Sequence, residues 1–192
     1  ERFAGHIPLE LALGATVAFG PVYSSAAGER RIAAASAFGV VGGETRWVLA
    51  VSVNPGHVTG GSGMQYFLGD FDGERFTPSG PVEEPRWVDW APDFYCATTW
   101  NNPPDGERRW IAWMNDWLYA ADLPTFPWRG QMSIARRLSL VRRGDALELA
   151  QRPEPSLEGL RQEAREASGA ADAITEALAT EPLDTWELRL QV

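Results

Sequence analysis

The strongest hydrophobic pattern runs from Trp47 to Val53, an apolar, β-branched stretch that Asn54-Pro55-Gly56 ends as a turn. After the flexible Gly60-Gly-Ser-Gly63, a second run extends from Met64 to Phe71. Asp72-Gly73 then marks a hairpin, with Glu74-Arg75-Phe76 returning on its other side. Further strands are predicted over Phe94 to Trp100, Arg108 to Trp113, Gln131 to Leu140 and Ala146 to Gln151. The turn-rich Asn101 to Gly106 and Arg143-Gly144-Asp145 punctuate them. Strands recurring every 10 to 15 residues with no helical stretch between them predict an all-β sandwich, barrel or propeller over about 38–153.

Beyond Pro153 and Pro155 the pattern changes. Leu157, Leu160, Ala164, Ala167, Ala171, Ile174 and Leu178 follow a roughly helical spacing, with Ser156 as N-cap and Gly169 as a weak point in the middle. Thr185 to Val192 alternates like a strand with one buried face. A lone strand is not stable by itself, so 154–192 is expected to be a linker and the opening strand of a second β domain that is cut short. Residues 1–37 form an unclear N-terminal segment: Gly14 to Gly20 admits a strand, and Ile32 to Ala37 is a small-residue run without a period.

Composition narrows the function more than the fold. The chain has 192 residues, a net charge of −9 and seventeen basic residues, all arginine. No basic patch is available to neutralise phosphates, so nucleic acid is not an expected partner. Cys96 is the single cysteine, which excludes an intrachain disulfide, and with two histidines it cannot build a structural zinc site. No metal or cofactor is expected. No apolar run reaches the ~18 residues of a membrane span. Glu1 opens no basic n-region with an apolar core, so a signal peptide is expected to be absent or already removed. Nine Trp, eight Phe and four Tyr are the unusual feature, and seven of the Trp lie between Trp87 and Trp128. Such rings stack on flat sugar faces or fill a β core, and composition alone leaves both open.

Three stretches carry a resemblance. The first is Ser52-Val-Asn-Pro-Gly56 leading into Gly60-Gly-Ser-Gly-Met-Gln-Tyr-Phe-Leu-Gly-Asp-Phe-Asp-Gly73. The second is Trp87-Val-Asp-Trp-Ala-Pro-Asp-Phe-Tyr95. The third is Arg109-Trp-Ile-Ala-Trp-Met-Asn-Asp-Trp117, continued by Pro124-Thr-Phe-Pro-Trp-Arg-Gly-Gln-Met-Ser133. In order and spacing they resemble glycoside hydrolase family 32, the levanases, exo-inulinases and invertases, over roughly 38–161. The resemblance implies blades of a five-bladed β-propeller, here incomplete, followed by the start of a C-terminal β-sandwich. It also implies a fructan or sucrose-type carbohydrate as partner, and it favours an extracellular location. Half a propeller leaves open blade edges, so self-association is expected.

The family's retaining chemistry needs two carboxyl groups about 5 to 5.5 Å apart, one attacking the anomeric carbon and one protonating the leaving oxygen. Its nucleophile comes from Trp-Met-Asn-Asp-Pro-Asn-Gly, a stabilising Asp from Arg-Asp-Pro, and the acid/base from Glu-Cys-Pro. None of the three is found in context. The nucleophile motif falls upstream of residue 1, and Arg-Asp-Pro is absent. The acid/base position, about five residues before Phe38, falls in Ile32-Ala-Ala-Ala-Ser-Ala37, with Glu29 out of register. Trp113-Met-Asn-Asp116 is followed by Trp117-Leu118-Tyr119 rather than Pro-Asn-Gly, so Asp116 is not read as a nucleophile. No catalytic residue is assigned.

The candidate substrate-binding residues are Trp113, Asp93 and Asn115. Trp113 matches a family tryptophan that walls the fructosyl pocket; the alternative is an aromatic packed between blades. Asp93 suits a hydrogen bond to a sugar hydroxyl, or to an acid/base group, or a turn cap. Asp89 has the same alternatives. Asn115 and Asp116 are read either as pocket rim or as a solvated loop. Gly60 to Gly63 with Gln65 are read as a turn, and Trp128-Arg129 as blade packing. His6 and His57 are read as surface residues.

Overall fold

The β-branched and aromatic runs form antiparallel strands, which pair with strands one or two places away in the chain. A computed structural model describes residues 17–19, 23–24, 30–41, 44–72, 75–82, 84, 86–100, 103–162, 166–179 and 187, with side chains described from Arg46 onward. The strands are β1 (Val17–Phe19), β2 (Tyr23–Ser24), β3 (Arg30–Val41), β4 (Glu44–Asn54), β5 (Gly63–Phe71) and β6 (Phe76–Pro78). They continue with β7 (Arg86–Trp87), β8 (Tyr95–Thr99), β9 (Arg109–Met114), β10 (Gln131–Met132), β11 (Arg136–Arg143) and β12 (Ala146–Pro153). One sheet has the order β1-β3-β4-β5-β6, with β2 also on β3 and β7 also on β5. The second has the order β10-β9-β11-β12, with β8 also on β9.

Both sheets belong to a unit spanning Glu1–Pro155. Side chains of β4 are buried on both faces, which is why Trp47 to Val53 is apolar at every position but the buried Ser52 rather than alternating. Val48 and Ala50 join Met64, Tyr66 and Leu68 of β5, and these pack on Phe94, Ala97, Trp110, Ala112 and Leu138 of the second sheet. Leu49, Val51 and Val53 point the other way, against Phe67, Phe71, Phe76 and Trp87. The first cluster fastens the two sheets face to face. Trp110 is 2 % exposed and donates its indole N–H to Gln151 Oε1 at 3.1 Å, so the ring is buried without stranding its donor.

The structure departs from the sequence reading at several places. β3 runs through the alanine-rich stretch left without structure. Its register, from Arg30↔Asn54 to Val41↔Glu44 with an irregularity between Phe38 and Val40, comes from β4. The single strand expected over Gln131 to Leu140 is divided. β10 and β11 both pair with β9, while Ser133 bridges the gap: its N–H donates to the Ala112 carbonyl at 2.8 Å and its hydroxyl accepts the Ala112 N–H at 3.0 Å.

Ser156–Val192 is a separate unit. The long helical reading reduces to a 3₁₀ stretch over Pro155–Leu160 and a helix α1 (Ala171–Leu178), with Gly169 between them at φ +135°. Ser156 is inside the 3₁₀ stretch and caps no α-helix. The alternating Thr185 to Val192 lies outside the described residues except for Glu187, which pairs with Arg161 at 2.8 Å.

Glu154 closes the end of the second sheet. Its carboxylate takes Arg109 Nε at 2.6 Å and Arg137 Nη2 at 3.1 Å, while Arg109 also reaches Asp105 at 2.5 Å. The hydrogen bond from Arg109, helped by Arg137, holds the Glu154 carboxyl below its ordinary range. A depressed folded value stabilises above the unfolded carboxylate pKa and is lost as pH falls through the folded one. The contribution is therefore present at pH 7 and disappears below about pH 4. Glu154→Gln is expected to lower the midpoint at pH 7 and flatten the fall in midpoint between about pH 5 and pH 3. Thermal melts across that range check it, and an unchanged acid slope would rule the network out as its source.

Candidate functional site

Where β8 begins and β9 ends, the chain has to turn twice within a few residues, and polar side chains hold both turns. Asp93 precedes β8 with φ +73°, a left-handed conformation that Asp tolerates better than most residues. Its carboxylate accepts a hydrogen bond from the Tyr119 hydroxyl. Burial first, and then this bond to the carboxylate, raise the Tyr119 phenol well above its usual range, so it remains a donor. Asp89 accepts the Ala91 N–H at 3.1 Å and pairs with Arg136 at 2.7 Å. Arg136 in turn lies 3.9 Å over the Phe94 ring and reaches Gln151 at 3.2 Å.

These groups border a hollow of about 680 Å³, whose walls include Asp93, Asn115, Tyr119, Trp128, Gly130 and Arg136. Asp93 and Asn115 thus share one cavity. Trp113 is not part of its wall. Its ring packs on Tyr95, centroids 6.3 Å apart, and on Trp117, 4.9 Å apart. It approaches the hollow through Gly130, where a Cβ would lie 3.0 Å from Trp113 Nε1 and 2.6 Å from Asn115 Nδ2. Gly130 has φ +72°, so glycine meets both the backbone and the space requirement there.

Asn115 and Asp116 do not form a solvated loop. They are 1 % and 0 % exposed. Asn115 Oδ1 accepts the Asp116 N–H at 2.9 Å, and its Nδ2 is buried without a partner. The Asp116 carboxylate accepts the Ser62 N–H at 3.2 Å through both oxygens and the Leu118 N–H at 2.9 Å. The Ser62 hydroxyl returns the contact by accepting the Trp117 N–H at 3.3 Å. Asp116 therefore ties the Gly60–Gly63 loop to the turn after β9, which gives the glycines their structural reason.

Two further readings change. His57 is 5 % exposed rather than a surface residue. Its Nδ1 meets Thr59 Oγ1 at 2.8 Å, its Nε2 meets the Asp89 carbonyl at 3.0 Å, and its ring stands edge-on to Trp87 at 4.7 Å. Trp128 is 61 % exposed on the hollow, not packed between blades, and Arg129 turns back to the Thr125 carbonyl. Tyr119 is the contributor that the sequence did not single out. Its position three residues after Asp116 carries no pattern, because its partner lies 26 residues away. His6 lies outside the described residues, as do the side chains of the alanine run where the acid/base position falls.

The side chains offer carboxylate, amide and aromatic groups, and among the described residues no cluster of His, Cys, Asp and Glu could hold a metal. No helix of the described residues is long and apolar enough to cross a membrane.

Comparison with known proteins gives this arrangement a family. Residues 31–153 match the glycosyl hydrolases family 32 N-terminal domain. The chain is 45 % identical over 120 residues to a levanase of Bacillus subtilis (62 % of this chain, 18 % of that protein). It is 42 % identical over 120 residues to an extracellular exo-inulinase of Aspergillus awamori (59 % and 22 %). The chain thus spans about a fifth of the length of these relatives. Among solved structures, exo-inulinase from Aspergillus awamori superposes with a TM-score of 0.57 at 28 % identity, over 75 % of this chain and 37 % of that one. A fructofuranosidase from Schwanniomyces occidentalis complexed with fructosylnystose gives 0.53 at 25 %, over 72 % and 35 %. The two antiparallel sheets, packed face to face through Trp110 and its neighbours, are blades of a five-bladed β-propeller, and the chain belongs to glycosyl hydrolase family 32.

Proposed function

We propose that the chain supplies the C-terminal blades of the catalytic propeller of a retaining fructan β-fructosidase, which hydrolyses levan, inulin or sucrose and releases fructose. The family match over residues 31–153 carries this reading, supported by relatives named levanase, exo-inulinase and invertase. Asp93 and Asn115 supply hydrogen-bonding groups for sugar hydroxyls, and Trp113, packed on Tyr95 and Trp117 and set behind Gly130, backs them rather than stacking on the ring. Secretion is part of the same proposal, because several relatives are named extracellular.

A second reading has its own support. The 192 residues contain neither Arg-Asp-Pro nor Glu-Cys-Pro, as a carbohydrate-binding or vestigial piece of the fold would. A fructosyltransferase, with a second sugar replacing water as acceptor, differs only in that last step.

The two main readings separate in a fructose-release assay on levan, inulin and sucrose. The 192-residue chain alone is expected to release none. The chain expressed from its genomic locus, with whatever reading frame precedes it, is expected to release fructose if that frame carries the three carboxylate motifs. Release by the 192 residues alone would overturn the assignment of the chemistry to missing carboxylates. A preceding frame without those motifs, and no release, would favour the binding piece. Self-association through the β12 edge belongs to the proposal too, and a concentration-independent monomer mass in sedimentation of the same sample would remove it.

A further inference from the structure

Resting on the self-association proposed above, we infer that the free edge of β12 pairs antiparallel with β12 of a second copy, about a two-fold axis at Ala150. β12 ends its sheet, and among the described residues no strand lies on its other side. The ladder to β11 runs without a shift from Arg136↔Pro153 to Arg143↔Ala146. The Glu154 N–H continues it by donating to the Ala135 carbonyl at 2.9 Å, and that bond fixes the parity. The backbone groups of Ala146, Glu148, Ala150 and Arg152 turn to β11, and those of Leu147, Leu149, Gln151 and Pro153 turn outward. Arg86 agrees with this, because its Nη1 donates to the Leu147 carbonyl at 2.9 Å. Neither a bulge nor a mid-strand proline blunts this edge.

Charge selects the occupant and the register. Glu148, Ala150 and Arg152 share one face of the strand. Arg152 is exposed, stands opposite Arg137 and forms no ion pair among the described residues, while Glu148 meets the exposed Arg143 at 3.3 Å. In a pair centred on Ala150, Glu148 of each copy faces Arg152 of the other, and the small Ala150 meets itself on the axis. Leu149 then exchanges backbone bonds with Gln151, and Leu147 pairs with Pro153. Pro153 has no N–H to offer the Leu147 carbonyl, which Arg86 already serves. Other centres fit worse. Glu148 or Arg152 at the axis sets like charges face to face, Gln151 sets Glu148 against Glu154, and Leu149 leaves both charges unpaired. Two copies of net charge −9 repel at a distance, so their contact depends on such local pairs.

The test is sedimentation of the 192-residue chain over a wide concentration range. A reversible monomer–dimer equilibrium is expected, with a dissociation constant on the order of 100 µM for so small an interface. Arg152→Glu should weaken it at least about tenfold, because both ion pairs become like-charge contacts. The new carboxylate stands opposite Arg137 in its own chain, so the melting midpoint should not fall. Glu148→Arg should weaken the dimer similarly, and the two changes together should restore it to within about fivefold of wild type. Ala150→Cys reads the register. On that rung the two Cα atoms lie about 4.5 Å apart, within disulfide reach, so oxidised glutathione should cross-link the variant. The wild-type chain, with Cys96 alone, should stay uncross-linked. A monomer at every concentration would overturn the pairing and the self-association reading together. A dimer that survives Arg152→Glu, is not restored in the double variant or does not cross-link at residue 150 would overturn this edge and register alone. Neither result alters the outcome of the fructose-release assay, which tests the carbohydrate reading by itself.

Discussion

Asp116→Ala is expected to cost about 3–5 kcal/mol of stability, among the largest effects available to a single substitution in this chain. The carboxylate is fully buried and serves the backbone N–H groups of Ser62 and Leu118, 54 residues apart in one case and two in the other. Alanine removes charge-assisted bonds and leaves both donors buried without an acceptor, and water cannot substitute unless the turn opens. In a chain of this size the melting midpoint should fall by roughly 10 °C. Asp116→Asn keeps one oxygen able to accept from both amides and should lose about half as much. Circular dichroism melts of the two variants check the order. Equal midpoints for alanine and asparagine would show that the charge, rather than the hydrogen bonding or the shape, sets the cost.

The same residue shows how much of the molecule is legible before folding. The strands over Trp47 to Val53 and Met64 to Phe71 are legible because both are dense in β-branched and aromatic residues and end at Pro, Gly or Asp-Gly. The Arg143-Gly144-Asp145 hairpin is legible because Gly144, at φ +58°, is where a two-residue turn needs glycine. β3 is not, because Ala and Ser have little strand preference of their own and the pairing with β4 supplies the conformation. Among the described residues, the helical spacing over Leu157 to Leu178 forms an α-helix only in its last third, since a period of small apolar residues does not by itself bury a face. At the site, the motif order identifies the family, and Asp93 with Asn115 do share a hollow. The burial of His57, Asn115 and Asp116 is hidden, because their partners are backbone groups or hydroxyls in loops with no sequence signature. Trp128 is misread for the opposite reason: the two prolines before it suggest a packed corner, yet the ring is exposed. Side chains that bond to backbone groups across the fold are the part a linear pattern cannot show.

Gly61→Ala is expected to be nearly as damaging as Asp116→Ala, and the pair should be strongly non-additive. A Cβ at Gly61 would lie 2.2 Å from Asp116 Oδ1, 2.4 Å from Oδ2 and 2.6 Å from Cγ. No rotamer change relieves this, because moving the carboxylate away from residue 61 also takes it off the adjacent Ser62 N–H. Either the loop shifts or the hydrogen bonds break, and the cost is on the order of 2–4 kcal/mol. In an Asp116→Ala background the obstructing carboxylate is gone and the Ser62 bonds are already lost. Adding Gly61→Ala there should cost less than about 1 kcal/mol, leaving a coupling energy of at least about 1 kcal/mol. Denaturant melts of the two single variants and the double variant measure that coupling directly. Additive losses would mean that the loop and the turn fail independently, and that the carboxylate is not what joins them. A large coupling would place the junction between the two blades in three residues, Gly61, Ser62 and Asp116, with the glycine serving only to let the other two meet.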